Sequence, residues 1–101
     1  MRERASALFQ RAVDYELQKN DFESLKHFEQ AMKLFGAGAD VVGEAISRRR
    51  IANILFRRGE FSEALALNRE SLRVFERAKH LREIAYAQAN LNRLWRHRES
   101  A

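Results

Sequence analysis

Few residues in this sequence are placed to do chemistry. Cysteine is absent, which excludes a thiolate nucleophile and a cysteine–zinc site. The three histidines, His27, His80 and His97, stand far apart, and none is spaced from another His, Asp or Glu as a metal-ligand set. Glu23 precedes His27 by four residues, the spacing of an ordinary helix-surface pair. No serine lies in a nucleophile elbow, and the glycines at 36 and 38 lack the Lys–Ser/Thr that follows a phosphate loop. No catalytic residue, metal ligand or cofactor is expected, and nothing supports an enzyme.

The group that remains is basic. Arg49, Arg50, Asn53 and Arg57 fall at i, i+1, i+4 and i+8, which gathers them on one face of a helix. Guanidinium groups pair in a fixed planar fork with carboxylates and phosphates. Such a set either meets an anionic ligand or simply faces solvent. The 101 residues carry 19 basic and 14 acidic side chains, a formal charge of +5, and fifteen of the basic residues are arginine. The first residues lack the apolar run of a signal peptide, and no apolar stretch approaches the roughly 18 residues of a membrane span. A cytoplasmic location is the expectation.

Helices must position these side chains. From Glu44 to Glu76 the sequence reads as two amphipathic helices folded back on each other at Arg58-Gly59-Glu60. Ile46, Ile51, Ala52, Leu55 and Phe56 recur at helical spacing in the first, and Phe61, Ala64, Leu65, Leu67, Leu72 and Phe75 in the second. Gly59 suits the left-handed residue that ends a helix, and Ser62 is a candidate N-cap for the next. Asn20-Asp21-Phe22 lies 39 residues before Gly59-Glu60-Phe61, flanked by the faces Phe9, Ala12, Val13, Leu17 and Leu25, Phe28, Ala31, Met32, Phe35. The same offset lays Glu83–Glu99 on Glu44–Glu60, with Asn92 on Asn53, Leu94 on Leu55 and Trp95 on Phe56. A fixed period of this size means a helical solenoid. Asp40 is a reasonable N-cap after the Gly36–Ala39 loop. The expected architecture is all-α: one domain over 1–101, with a repeat over about 4–36, a second over about 41–79 and a closing helix over about 81–97. Trp95 is expected to lie largely against the fourth helix or the groove wall. In the closing helix Leu81, Ile84, Ala85, Gln88, Leu91, Asn92 and Trp95 form the inner face, with Ala87 and Leu94 off it.

The pattern Ala45, Ile51-Ala52, Leu55, Gly59-Glu60-Phe61, Ala64-Leu65 and Leu72 resembles a tetratricopeptide repeat, and the spacing is similar to its long-repeat subclass of about 40 residues. That resemblance implies a right-handed superhelical stack of antiparallel helix pairs closed by a C-terminal capping helix. It also implies a concave groove lined by the first helix of each pair. By the 39-residue alignment the groove residues are Gln10, Arg11, Asp14 and Gln18, then Arg49, Arg50, Asn53 and Arg57, then Gln88, Asn92 and Arg96. In long-repeat relatives groove asparagines grip the backbone of an extended peptide, donating and accepting at once. The resemblance therefore implies a non-catalytic protein-interaction module, a scaffold or adaptor, with an acidic or phosphorylated peptide as its ligand. The carboxylate clamp of chaperone-binding relatives is not reproduced: the matching places hold Gln10, Asp14, Arg50, Ala85 and Ala89.

Two other readings stay open. Arg48-Arg49-Arg50 and Arg57-Arg58 give the footprint of a nucleic-acid binder. Yet the run wraps around the helix, acids such as Glu60, Glu63, Glu70 and Glu76 interrupt it, and the seven phenylalanines, Phe22 among them, all fit core faces. Self-association is the third reading: Leu94 and Ala87 on the closing helix mark a contact either with another copy, giving a homodimer, or with further repeats.

Overall fold

Four residues with positive φ punctuate the chain every twenty residues: Lys19 (60°), Ala39 (59°), Gly59 (85°) and Lys79 (55°). The computed structural model describes residues 2–100, and side chains up to residue 97. Between these four points run α1 (Arg2–Leu17), α2 (Asp21–Ala37), α3 (Val41–Arg57), α4 (Phe61–Arg77) and α5 (Leu81–Ser100), each packed antiparallel on its neighbour in sequence, with no strand among the described residues. The turns share one hydrogen-bond pattern. The amides of Asn20, Asp40, Glu60 and His80 donate to the carbonyls of Tyr15, Phe35, Leu55 and Phe75 at 2.9–3.0 Å. This is the Schellman closure, which needs one left-handed residue just past the helix. Only Gly59 takes that conformation without steric cost; at Lys19, Ala39 and Lys79 it costs about 1–2 kcal/mol each.

Asp40 caps α3 as expected, its Oδ1 accepting from the Gly43 amide at 2.9 Å. Asn20, in turn, caps α2, accepting from the Glu23 amide at 3.2 Å, so Asp21 is that helix's first residue. Glu60 occupies the N-cap of α4 without a side-chain bond, which leaves Ser62 inside the first turn. The glycine-rich segment is also helical through Ala37. Gly43 serves close packing: a Cβ there would stand 2.7 Å from the Phe35 ring of α2.

The core is built on small residues where helices cross. Ala5, Ala12, Ala31, Ala45, Ala52, Ala64 and Ala87 are all buried, with Phe28 and Phe75 as the large fully enclosed side chains. The backbones approach closely enough for side chains to bond across. Ser24 Oγ donates to the Ala12 carbonyl at 2.8 Å and Ser71 Oγ to that of Ala45 at 3.0 Å; Asn68 Nδ2 donates to the Ala87 carbonyl at 2.8 Å. The buried face of α2, formed by Ser24, Phe28, Ala31 and Phe35, recurs in α4 as Ala64, Asn68, Ser71 and Phe75.

The true repeat is therefore 40 residues, from Asp21 to Phe61, and the 39-residue offset is one short. Phe22 matches Ser62, not Phe61, and lies 76% exposed in place of joining the core. In α5 the buried face is Glu83, Ala87 and Leu94, flanked by half-buried Ile84 and Leu91. The expected inner face fails at Leu81, Ala85, Gln88, Asn92 and Trp95, all exposed, and Ala87 and Leu94 are core residues, closed to a dimer contact. One residue of register turns every side chain by about 100° around a helix. Trp95 follows Leu55 in the 40-residue register; the Arg69 guanidinium of α4 lies 5.6 Å from its ring, yet 42% of the residue is open.

Gly43→Ala is expected to cost about 1–3 kcal/mol by overpacking against Phe35, whereas Ala39→Gly should be neutral or stabilising because it relieves a left-handed alanine. Urea unfolding followed by circular dichroism measures both, and a harmless Gly43→Ala would contradict the close α2–α3 approach.

Candidate functional site

α1, α3 and α5, the first helices of successive pairs, meet along one face of the stack, and charged side chains join them there. On the α1 side, Glu16 receives two arginines of α3: Arg50 Nη2 at 3.2 Å and Arg57 Nη1 at 3.1 Å. Arg57 Nη2 also reaches Asp21 Oδ1, at the start of α2, at 3.0 Å. The Arg50 guanidinium lies over the edge-to-face pair of Phe9 and Phe28, 5.8 and 5.5 Å from their centroids, and its buried Nε has no partner among the described residues. On the α5 side, Arg49 is only 8% exposed. Its Nε and Nη2 donate to Glu83 Oε1 at 3.1 and 2.9 Å, and its guanidinium lies 5.3 Å from the Tyr86 ring. Burial pushes the Arg49 guanidinium below its ordinary pKa, while the Glu83 carboxylate pulls it back. At Arg57 partial burial works against the charge, but the hydrogen bonds to Asp21 and Glu16 outweigh it and hold the pKa above the ordinary value.

Below these pairs the face turns aromatic. Phe56, Phe61 and His97 form a cluster with centroids 4.2–5.6 Å apart, and the Arg93 guanidinium lies 5.3 Å from the Phe56 ring. Arg93 Nη2 donates to Asn90 Oδ1 at 2.9 Å. Asn53 is half-buried in the middle of α3, and its amide bonds to no described side chain or carbonyl.

The expected set is thus divided. Asn53, Arg50 and Arg57 stand on this face. Arg49 belongs to it by position, but its guanidinium is enclosed against Glu83 and is closed to a ligand. Gln10 and Asp14 are exposed on α1 and bonded to each other at 3.2 Å, with no tie to α3. Gln88 and Asn92 sit about 100° round α5 from Ala89 and Arg93, beside Leu81 and Trp95, so the structure does not gather them with Asn53. Asn92 is therefore not the counterpart of Asn53; Arg93 is. Arg96 is exposed near the end of α5. The residues missed by spacing alone are Glu83, Tyr86, Arg93 and His97. The signal that could have found them is a carboxylate, Glu16 or Glu83, at a core-facing helical position opposite an arginine-rich helix.

Among the described residues no group of three or more His, Cys, Asp or Glu side chains could hold a metal ion, and no helix is long and apolar enough to cross a membrane. What the face offers is cations, an amide and aromatic rings held in fixed places.

The two kinds of ion pair predict different consequences. Glu83→Leu leaves the buried Arg49 charge unpaired and is expected to cost about 3–5 kcal/mol. Arg57→Gln, at a side chain 43% exposed, is expected to cost about 1 kcal/mol or less. Urea unfolding of each variant checks this, and equal costs would mean that the Arg49–Glu83 pair is open to water.

No curated protein matches the chain. A family model described as Tetratricopeptide repeat matches residues 3–77, which takes in α1 to α4. With that match over most of its length, and five helices stacked in antiparallel succession, the chain belongs to the tetratricopeptide repeat family, whose repeats are protein-interaction modules.

Proposed function

We propose that this chain is a non-catalytic protein-interaction module that takes an extended, acidic or phosphorylated segment of a partner along the α1–α3–α5 face. The observation that carries the reading is the charge distribution. From Ala45 to Arg57 and from Ile84 to His97 there is no acidic residue, while Arg57, Arg93 and Arg96 keep exposed surface there. The acids that reach these stretches are already paired: Glu83 is buried against Arg49, and Glu16 and Asp21 bind Arg50 and Arg57 from the α1 side, so the surplus of positive charge lies toward α5. Curved repeat stacks present extended concave surfaces of this kind to their ligands.

Each residue has a role in the reading. Asn53 holds the ligand backbone, because its amide carries both a donor and an acceptor and is bonded to nothing else described. Arg57, Arg93 and Arg96 meet acidic or phosphoryl groups. Phe56 and Tyr86 supply apolar surface between them. Arg49 and Arg50 act from beneath, fixing α3 against α5 and α1. Gln10 and Asp14 flank the α1 end, where Asp14 disfavours further negative charge, so the acidic part of the ligand lies toward α5.

The test is fluorescence anisotropy with arrayed extended peptides in acidic, phosphorylated, neutral and basic sets. Acidic or phosphorylated peptides are expected to bind best. Arg57→Gln with Arg96→Gln should weaken them by about 10-fold or more, each lost charged hydrogen bond being worth about 1.5–3 kcal/mol, and Asn53→Ala should weaken them too. Arg73→Gln with Arg77→Gln, on the exposed side of α4, removes the same charge and should leave binding nearly intact. Equal losses from the two pairs, a silent Asn53→Ala and a steep linear fall with log salt would point to a diffuse polyanion such as nucleic acid and would overturn the reading.

A further inference from the structure

A second surface, separate from the partner face, lies on the outer side of α5. Its meaning comes from comparing α5 with α3. On α3 the strip Ala45, Ala52 and Leu55 is covered by α4, whose Ser71 bonds the Ala45 carbonyl and whose Ala64 joins the same core cluster as Ala52 and Leu55. Forty residues on, the strip reads Ala85, Asn92 and Trp95, with Gln88 in its middle and Leu81 at its start. No helix of the described residues covers it: Leu81 is 80% exposed, and Ala85, Gln88 and Asn92 are exposed beside the partly open Trp95. A third of this chain is charged, yet these five positions carry no charge. Arg69 of α4 borders the strip on one edge, over Trp95, and Arg96, four residues after Asn92, borders it on the other, while Arg82 stands farther round α5.

The geometry points to a second copy of this chain as the occupant: we propose that the α5 strips of two copies pack antiparallel about a twofold axis through Gln88. A twofold contact needs a patch that is complementary to itself, and this one is. The positions 81, 85, 88, 92 and 95 follow steps of four and three, the spacing of a helix–helix seam. Leu81 and Trp95 stand seven residues either side of Gln88. In an antiparallel pair Leu81 of each copy therefore meets Trp95 of the other, at both ends of the contact. At the centre Gln88 faces its own counterpart, where one amide donates and the other accepts. Ala85 is small enough to let the helices approach. The other exposed end of the stack is a poorer mate: around Ala7 and Leu8, α1 presents Arg4 and Arg11. The strip lies roughly a quarter turn round α5 from Ala89 and Arg93, so a dimer keeps both partner faces open and displays two of them, a geometry that raises avidity.

The experiment is sedimentation velocity from about 5 µM to about 500 µM, a range chosen because one helix face per copy is a small interface, with fluorescence over the same range. Trp95 is the only tryptophan, so its emission reports the contact directly. Mass is expected to rise from one to two chains with concentration, with a blue shift of Trp95 emission in step. Ala85→Arg should weaken association at least about 100-fold, because the symmetric contact buries the new charge twice. Ala85 is exposed in the single chain, so circular dichroism and melting should be unchanged; Gln88→Lys serves as the second variant. Ala7→Arg on α1 should have no effect. A monomer at every concentration overturns the proposal. So does a dimer whose Trp95 emission does not shift, or association that Ala7→Arg breaks and Ala85→Arg does not.

Discussion

The constraint on which the rest of this structure depends is how closely neighbouring helices approach. Ser24, Ser71 and Asn68 can bond the carbonyls of Ala12, Ala45 and Ala87 only because alanine, serine or glycine stands at each crossing. A buried hydroxyl or amide that lost its carbonyl would be costly, so these bonds fix where along its neighbour each helix sits. They link α2 to α1, α4 to α3 and α4 to α5. The large side chains, Phe28 and Phe75, then fill the spaces between pairs. Helix position, and with it every functional side chain, follows from residues that have little chemistry of their own.

A second layer of constraint converts that stack into a face. Arginine is long enough to reach from α3 to α1 and α5, and its fork takes a carboxylate with more than one nitrogen. Glu83 takes two nitrogens of Arg49, Glu16 takes one each from Arg50 and Arg57, and the second nitrogen of Arg57 goes to Asp21. The arginines that read at first as ligand-binding groups are thus partly architecture. Their fixed positions leave a surplus of positive charge toward α5, whose stretch from Ile84 to His97 carries Arg93 and Arg96 and no acid. Burial of the Arg49–Glu83 pair makes it poor as a source of net stability, but its geometric demand ties α5 to α3, a pair that otherwise touches little.

The class of fold is legible in the sequence because five amphipathic stretches, the Gly59 turn and the Asp40 cap each follow from local physics. Register is not. Three of the four left-handed positions are Lys19, Ala39 and Lys79, which look like nothing in particular, and aligning Asn20 with Gly59 matches a helix cap to a left-handed residue. That one-residue slip rotates the expected face of α5, so that Trp95, Gln88 and Asn92 fall inward while Ala87 and Leu94 fall outward, the reverse of the structure. On α3, where Gly59 anchors the register, Asn53 and Arg57 are expected on the face they occupy. The fate of the arginines is invisible for another reason: whether a guanidinium meets solvent or a carboxylate depends on a residue far along the chain, as with Arg49 and Glu83.

The central claim is that α1, α3 and α5 form one rigid face, and native-state hydrogen exchange read residue by residue tests it most directly. The account predicts that the amides of Ala87 and Leu94 in α5 open with the same free energy as those of Ala52 and Ile54 in α3, in a single cooperative unfolding. If the α5 amides exchange through a separate opening of much lower free energy, α5 is a loosely attached end and the face as described does not persist in solution.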